Sequence, residues 1–85
     1  MNYPIQVTVK LFAIFQDTLA TDQIQMDVQL GAPVSEVFDH LAAQQPSLEK
    51  WRSLTRYAIN LNFVEPQTKL QGGDEVALIP PVSGG

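Results

Sequence analysis

The sequence predicts one small α+β domain in which a curved mixed sheet grasps a single main helix. Three observations carry this prediction: two early segments that alternate apolar and polar residues, one helix-spaced apolar stripe, and two apolar segments in the last third. In such a domain the helix and the sheet cover each other's apolar faces. The 85 residues are enough for one domain with a modest core.

Two strands and a short helix are predicted in the first 30 residues. Segments 5–12 and 24–30 both alternate apolar with polar residues, which is typical of strands with one buried face. The stretch between them, 13–23, is too long for a tight hairpin turn. Its apolar residues have roughly helical spacing and predict a short helix; they are Ile14, Phe15 and Leu19.

The main helix is predicted to begin at Pro33 and to end before Pro46. Pro33 suits the first turn, where its missing N–H costs nothing, and Glu36 suits the positive end of the helix dipole. Residues before a proline avoid the helical conformation, so Pro46 ends the helix. The apolar residues recur at i, i+3, i+4, i+7 and i+8 and form one stripe: Val34, Val37, Phe38, Leu41 and Ala42.

The remaining strands lie in the second half of the chain. Segment 57–64 is predicted as one strand, 66–70 as a loop or short edge strand, and 75–79 as the last strand after a glycine turn. The first and last strands are expected side by side in the centre of the sheet, because they are the most apolar. Between helix and third strand, 47–55 is a connector with a helical turn, whose Trp51 is expected in the core.

The composition excludes several classes of function. Without cysteine there is no disulfide, thiolate zinc site or thiol nucleophile, and one histidine leaves no room for a His-rich metal site. A net charge of −4 argues against a nucleic-acid partner. No apolar run approaches the ~20 residues of a membrane span, and residues 1–4 do not begin a signal peptide. We therefore expect a cytoplasmic domain with no membrane contact.

No catalytic constellation is visible in the sequence. Gly72-Gly73 lacks the Lys-Ser/Thr of a phosphate loop and precedes a strand rather than a helix. His40 lies off the apolar stripe and is expected to be a solvated helix residue. Asp74 and Glu75 are adjacent carboxylates, but we expect them to be turn and strand-edge residues.

The unusual feature is the end of the sequence, where Pro80-Pro81 follows the last strand and Gly84-Gly85 comes last. Glycine has no Cβ, so a partner's narrow channel can close around its backbone, and consecutive prolines favour an extended conformation. Five extended residues reach up to about 17 Å. We therefore predict a folded domain over 1–80 and a tail over 81–85 that enters another protein's active site. There the carboxylate of Gly85 is sterically free to attack a nucleotide phosphate.

Three segments resemble the small subunit of molybdopterin synthase, the MoaD-type sulfur carriers. Residues 73–85, GDEVALIPPVSGG, look like the C-terminal signature of that family. Residues 9–13, VKLFA, look like its first strand, and Ala58-Ile59-Asn60 looks like its AVN strand. The resemblance covers essentially the whole chain and implies a ubiquitin-like β-grasp fold with a carrier function.

The resemblance also implies a chemistry for the tail. An E1-like adenylyltransferase/sulfurtransferase would use ATP to adenylate Gly85 and would then convert it to a thiocarboxylate, with no cofactor bound by the carrier. The large catalytic subunit would use this sulfur to build the dithiolene of molybdopterin from a cyclic pyranopterin monophosphate, in an assembly of two small and two large subunits. Ser83 and Gly84 would thread the channel, and Pro80, Pro81 and Val82 would position the tail. The lack of cysteine fits, because a thiocarboxylate is then the remaining covalent way to carry sulfur.

A partner-binding face is predicted from Phe12 and Ile79. Strand alternation points Phe12 away from the core, and Ile79 lies opposite to Val76 and Leu78 on its own strand. In the resembling family, apolar residues at these two positions contact the large subunit. The alternative is that the short helix covers both side chains. Charged residues make up only 16% of the chain, against about 25% in a typical protein, which agrees with an apolar surface for a partner.

Three other functions stay open at this point: a carrier for thiazole synthesis, a ubiquitin-like modifier whose Gly85 joins target lysines, and an inert interaction module. Thiazole carriers tend to be shorter and usually lack the Pro-Pro-Val-Ser lead-in. The chain also departs from the family pattern at two places. Gln16 stands where many members have an arginine, and Leu61-Asn62-Phe63 stands where many have a glycine or polar turn after the asparagine.

Overall fold

The computed structural model describes residues 3–81. Five strands, two α-helices and a 3₁₀ segment follow one another in this order: β1 (Pro4–Leu11), α1 (Ile14–Leu19), β2 (Gln23–Gln29), α2 (Ser35–Gln44), the 3₁₀ segment Pro46–Leu54, β3 (Arg56–Ile59), β4 (Asn62–Val64) and β5 (Glu75–Ile79). The predicted succession of strand, short helix, strand and main helix is confirmed. Among the described residues no helix is long and apolar enough to cross a membrane.

The strands form one mixed sheet in the order β2-β1-β5-β3-β4. The first and last strands are central neighbours and run parallel, with Val9 opposite Val76 and Leu11 opposite Leu78. The pairs β1–β2, β3–β5 and β3–β4 are antiparallel. The sheet thus has the predicted α+β grasp architecture, and its central strand pair places the end of β5 beside the end of β1.

The core lies between the inner face of the sheet and α2. The predicted helix stripe is buried, and so are the inward residues of the central strands: Val7, Val9, Leu11, Val76 and Leu78. Phe15 of α1 packs edge-on against Phe38 of α2, with ring centroids 6.0 Å apart and ring planes at 87°. The short helix therefore covers one edge of this core.

The structure corrects the prediction of one strand over 57–64. The chain reverses after β3 in a two-residue turn made by Asn60 (φ 50°) and Leu61 (φ 74°), and β4 pairs antiparallel with β3. Positive φ at both central residues defines the tight hairpin turn whose twist matches the flanking strands. Because Leu61 is apolar, the alternation continues through the turn and conceals it.

One boundary also differs from the predicted one. Pro33 lies outside α2 and forms an isolated bridge with Lys69, so the helix begins at Ser35 rather than at the proline. Segment 66–70 is a loop, as one of the two predicted possibilities. Its one strand-like contact within the described part of the chain is this bridge. Trp51 is half-buried and packs against the core, as expected.

A polar junction ties the hairpin turn to the start of β5. The backbone N–H of Asn60 donates to the carbonyl of Glu75 (2.8 Å), and the Asn60 side-chain oxygen accepts from the Glu75 N–H (3.0 Å). The Asn60 amide also donates to Asp74 Oδ1 (3.2 Å), while Asp74 Oδ2 accepts from the Gln71 N–H (2.8 Å). Asp74 is thus the turn residue that the sequence predicts. Asn60 links the hairpin turn to the start of β5 through both its backbone and its side chain.

We expect Asn60→Ala to lower the free energy of unfolding by about 1–2 kcal/mol. The substitution removes two side-chain hydrogen bonds and replaces a residue that tolerates positive φ. Asn62→Ala is the matched control, because it removes one exposed hydrogen bond, to the Asn60 carbonyl. Denaturant unfolding of both variants checks the prediction; equal losses would show that the junction contributes no special stability.

Candidate functional site

Apolar side chains gather on the outer face of the sheet, opposite to the core. They line a shallow depression of about 370 Å³ together with Glu75, and we call them the apolar patch: Phe12, Ala58, Leu61, Phe63, Ala77 and Ile79. Their placement follows from the strand period of two, since Ala77 and Ile79 alternate with the buried Val76 and Leu78. The register sets Ala58 opposite both Ala77 and Phe63, which brings β3, β4 and β5 into one surface.

The structure brings the two predicted face residues together. Phe12 directly follows β1 and is 47% exposed, whereas the preceding Leu11 is 1% exposed. Ile79 is half-buried and lines the same depression as Phe12. The alternative, in which the short helix covers both Phe12 and Ile79, is wrong for Phe12, which is 47% exposed while α1 buries Phe15. That this face binds a partner stays a prediction.

Sequence reasoning missed Phe63 and Leu61 as members of the patch. Phe63 is 68% exposed and Leu61 is 92% exposed. The prediction of one strand over 57–64 concealed both residues, because it ignores the turn at Asn60 and Leu61 and so does not tell which face of the sheet each residue occupies. The available signal was Asn60, since asparagine between two apolar runs is a common residue of tight hairpin turns.

The root of the tail adjoins the patch. Pro80 and Pro81 follow Ile79 and line a groove of about 660 Å³ beside the end of the 3₁₀ segment and the start of β3. The groove also takes in Phe63, so patch and groove are continuous at Phe63 and Ile79. Val82, Ser83, Gly84 and Gly85, the rest of the predicted tail, lie outside the described residues.

The groups with shifted pKa values lie on the 3₁₀ segment and on β3. Hydrogen bonds from Arg52 hold the pKa of the Glu49 carboxyl below its usual value, and the same bonds, with one to Asp39, raise the pKa of the Arg52 guanidinium. Arg52 also lies over the ring of Phe38, 4.9 Å from its centroid. Burial raises the pKa of Tyr57, which points into the core. None of these groups lines the patch.

The described residues hold no constellation for acid–base or metal chemistry. Within residues 3–81 no three His, Asp or Glu side chains are placed to bind a metal ion. His40 is on the surface of α2, 3.5 Å from Glu36 one turn earlier, as expected for a solvated helix residue.

Known proteins share both this sequence pattern and this fold. The molybdopterin synthase sulfur carrier subunit of Chlamydomonas reinhardtii is 32% identical over 83 residues, covering 95% of this chain and all of that protein. SAMP1 from Haloferax volcanii superposes with a TM-score of 0.79 at 28% identity, over 94% of this chain and 99% of that one. Subunits 1 and 2 of the molybdopterin-converting factor of Helicobacter pylori form a complex in which one chain matches with a TM-score of 0.64 at 22% identity, over 95% and 100%.

The family itself follows from the extent of these matches. The fold is the ubiquitin-like β-grasp, since close structural matches cover more than nine-tenths of the chain. The model of the ThiS family matches residues 9–85, a range that includes the patch, the tail root and the final glycines. The chain therefore belongs to the ThiS family.

Proposed function

We propose that this chain is the sulfur-carrier subunit of molybdopterin synthase and that Gly85 carries the sulfur. The observation that carries the proposal is the apolar patch that runs into the tail root at Ile79. A carrier needs a face that binds its partners and a narrow end that can enter their active sites, but no catalytic cluster of its own. The sulfur carrier subunits among its relatives support the same role.

The chemistry at Gly85 begins with an unreactive group. A terminal carboxylate has a pKa of about 3.3–3.7, is ionised at pH 7 and offers no leaving group. An E1-like activating enzyme transfers AMP from ATP to the Gly85 carboxylate and releases pyrophosphate. Sulfur at the sulfide level, as HS⁻, then attacks the acyl carbon, AMP leaves, and a thiocarboxylate remains, so that cytoplasmic ATP drives the cycle.

The tail's length explains why the patch has to be part of the contact. Four residues follow Pro81, and they span at most about 14 Å. A partner that draws Gly85 into its active site must therefore bring its surface close to Ile79 and Pro80. We propose that the large catalytic subunit of molybdopterin synthase covers Phe12, Phe63 and Ile79, and that the activating enzyme meets the same root when it loads the tail.

A second candidate is a ubiquitin-like protein modifier, which the similarity to SAMP1 favours; a close structural relative bears the name small archaeal modifier protein 1. In that role the activated Gly85 would form an isopeptide bond with a lysine Nζ of a target, with AMP or a thiol as the leaving group. The two roles share activation and differ in the acceptor.

Mass spectrometry of the chain purified from its native host tests the proposal. The carrier is expected to gain about 16 Da, because sulfur replaces one oxygen. Oxidation of Met1 or Met26 adds nearly the same mass, so fragment spectra must place the gain on Gly85. Lysine-linked adducts of the chain without any thiocarboxylate would instead support the modifier and contradict the carrier.

A further inference from the structure

One cationic side chain adjoins the root of the tail. Arg56 begins β3 and pairs with Ile79 across the sheet, so both lie on the outer face, whereas the next residue, Tyr57, is buried. Arg56 is exposed and lines the groove that Pro80 and Pro81 also line. It therefore lies beside the point at which the tail leaves the domain.

Arg56 forms no ion pair within the described residues. The ion pairs of residues 3–81 involve Arg52 and His40 instead. The chain has nine acidic and five basic side chains, yet no carboxylate is found among the described residues that line the groove. Glu65 lines an adjoining cavity together with Arg56 and is not paired with it. The guanidinium group is thus available to a partner.

A protein that loads the tail has to cover Arg56. Four residues follow Pro81 and span at most about 14 Å, so the surface around the partner's active site comes close to Ile79 and Pro80. Arg56 is the direct neighbour of Ile79 in the sheet and is covered by the same contact. Covering an arginine removes water from its guanidinium group, which weakens binding unless an acceptor replaces that water.

We propose that Arg56 pairs with a carboxylate of the activating enzyme, at the entrance of the site that takes up the tail. The inference rests on the proposed activation of Gly85, which the carrier and the modifier roles share. A planar guanidinium group donates two parallel N–H bonds to a carboxylate, a geometry that an ammonium group does not match. The pair gives direction to a contact that is otherwise apolar, because it fixes one end of the patch relative to the entrance.

The acceptor belongs to the enzyme rather than to ATP. The phosphate that reacts is at Gly85, at the far end of the tail, whereas Arg56 lies at its root. Arg56 is therefore a binding residue for the enzyme and not a catalytic residue. Its loss is expected to raise the KM for the carrier and to leave both kcat and the KM for ATP within about twofold of wild type.

Three substitutions test the inference, with the purified activating enzyme from the same organism and exchange of labelled pyrophosphate into ATP as the assay. Arg56→Ala is expected to raise the KM for the carrier about tenfold or more. Arg56→Glu is expected to raise it further, because two carboxylates then face each other. Arg56→Lys keeps the charge but loses the paired donors, so its KM is expected between those of wild type and Arg56→Ala.

Lys69→Ala and Lys69→Glu are the matched controls. Lys69 is exposed and is not among the residues of 3–81 that line the groove or the apolar patch. These two variants change the net charge as Arg56→Ala and Arg56→Glu do, so they separate a local contact from the overall field of the chain. Their KM for the carrier is expected to stay within about twofold of wild type.

Four outcomes overturn the inference while leaving the carrier function intact. An unchanged KM for the carrier in all Arg56 variants would show that no acceptor faces this residue. A lower KM in Arg56→Ala would show that the enzyme covers the guanidinium group without an acceptor. A raised KM for ATP would assign Arg56 to the nucleotide, and an equal effect in the Lys69 variants would assign the change to net charge. If the enzyme does not adenylate the wild-type chain, the proposed function itself fails, and the inference fails with it.

Discussion

Removal of Gly85 is expected to abolish sulfur transfer to the pterin, a loss of activity to background. The tail without its last residue ends in Gly84, whose carboxylate sits one residue, about 3.5 Å, short of the reacting position. Such a displacement defeats positioned catalysis, since misplacement by 1 Å can already cost about a hundredfold. One residue added after Gly85 should have the same effect. The measurement is molybdopterin formation by the reconstituted synthase.

The same variants should fold normally. Changes outside the packed core usually alter stability by less than about 0.5 kcal/mol, and the last core residue in the described part of the chain is Leu78, seven positions before Gly85. Denaturant unfolding and binding of the large subunit serve as controls. Full activity without Gly85 would contradict the carrier account, whereas an unfolded variant would show that the tail supports the domain.

Truncation of Phe12 should separate binding from stability. An apolar anchor near the centre of an interface commonly contributes 2 kcal/mol or more, so Phe12→Ala is expected to weaken binding of the large subunit roughly 30-fold or more. Because Phe12 is 47% exposed, its loss should cost the free domain much less than the 3–5 kcal/mol expected for a buried phenylalanine.

Phe15→Ala is the matched control for this experiment. Phe15 lies three residues further along the chain, is fully buried and packs against Phe38. Phe15→Ala should lower the free energy of unfolding of the domain by the full 3–5 kcal/mol, about what a buried phenylalanine contributes. A melting curve and a titration with the large subunit distinguish the two variants. If Phe12→Ala lost stability with unchanged affinity, the apolar patch would not be the docking face.

The central architecture was predictable because it depends on periodicity. Alternation at 5–12 and 24–30 and the stripe from Val34 to Ala42 report directly which residues face the core, and the apolar character of 75–79 placed it in the middle of the sheet. The same periodicity predicted that Phe12 is exposed, since a residue one position beyond Leu11 lies on the opposite face of the sheet.

The remaining details depend on contacts that no local pattern contains. The break at Asn60-Leu61 follows from hydrogen bonds to Asp74 and Glu75, which are more than a dozen residues away in sequence. Pro33 is held outside α2 by its bridge to Lys69, again a distant residue. Asn60 is a local signal of the turn, but the grouping of Leu61 and Phe63 with the rest of the patch depends on the pairing of β3 with β4 and β5, which only the tertiary structure supplies.

A single-turnover reaction tests the central claim most directly. The chain, loaded as the Gly85 thiocarboxylate, is mixed with the large subunit and a cyclic pyranopterin monophosphate, and both the pterin and the carrier are followed by mass spectrometry. The account predicts that each dithiolene forms at the expense of two loaded carriers, each of which gives up one sulfur, takes an oxygen from water, loses about 16 Da and returns to the carboxylate. A thiocarboxylate that persists unchanged with the large subunit and the pterin present would contradict it, and would point to a different acceptor for the sulfur.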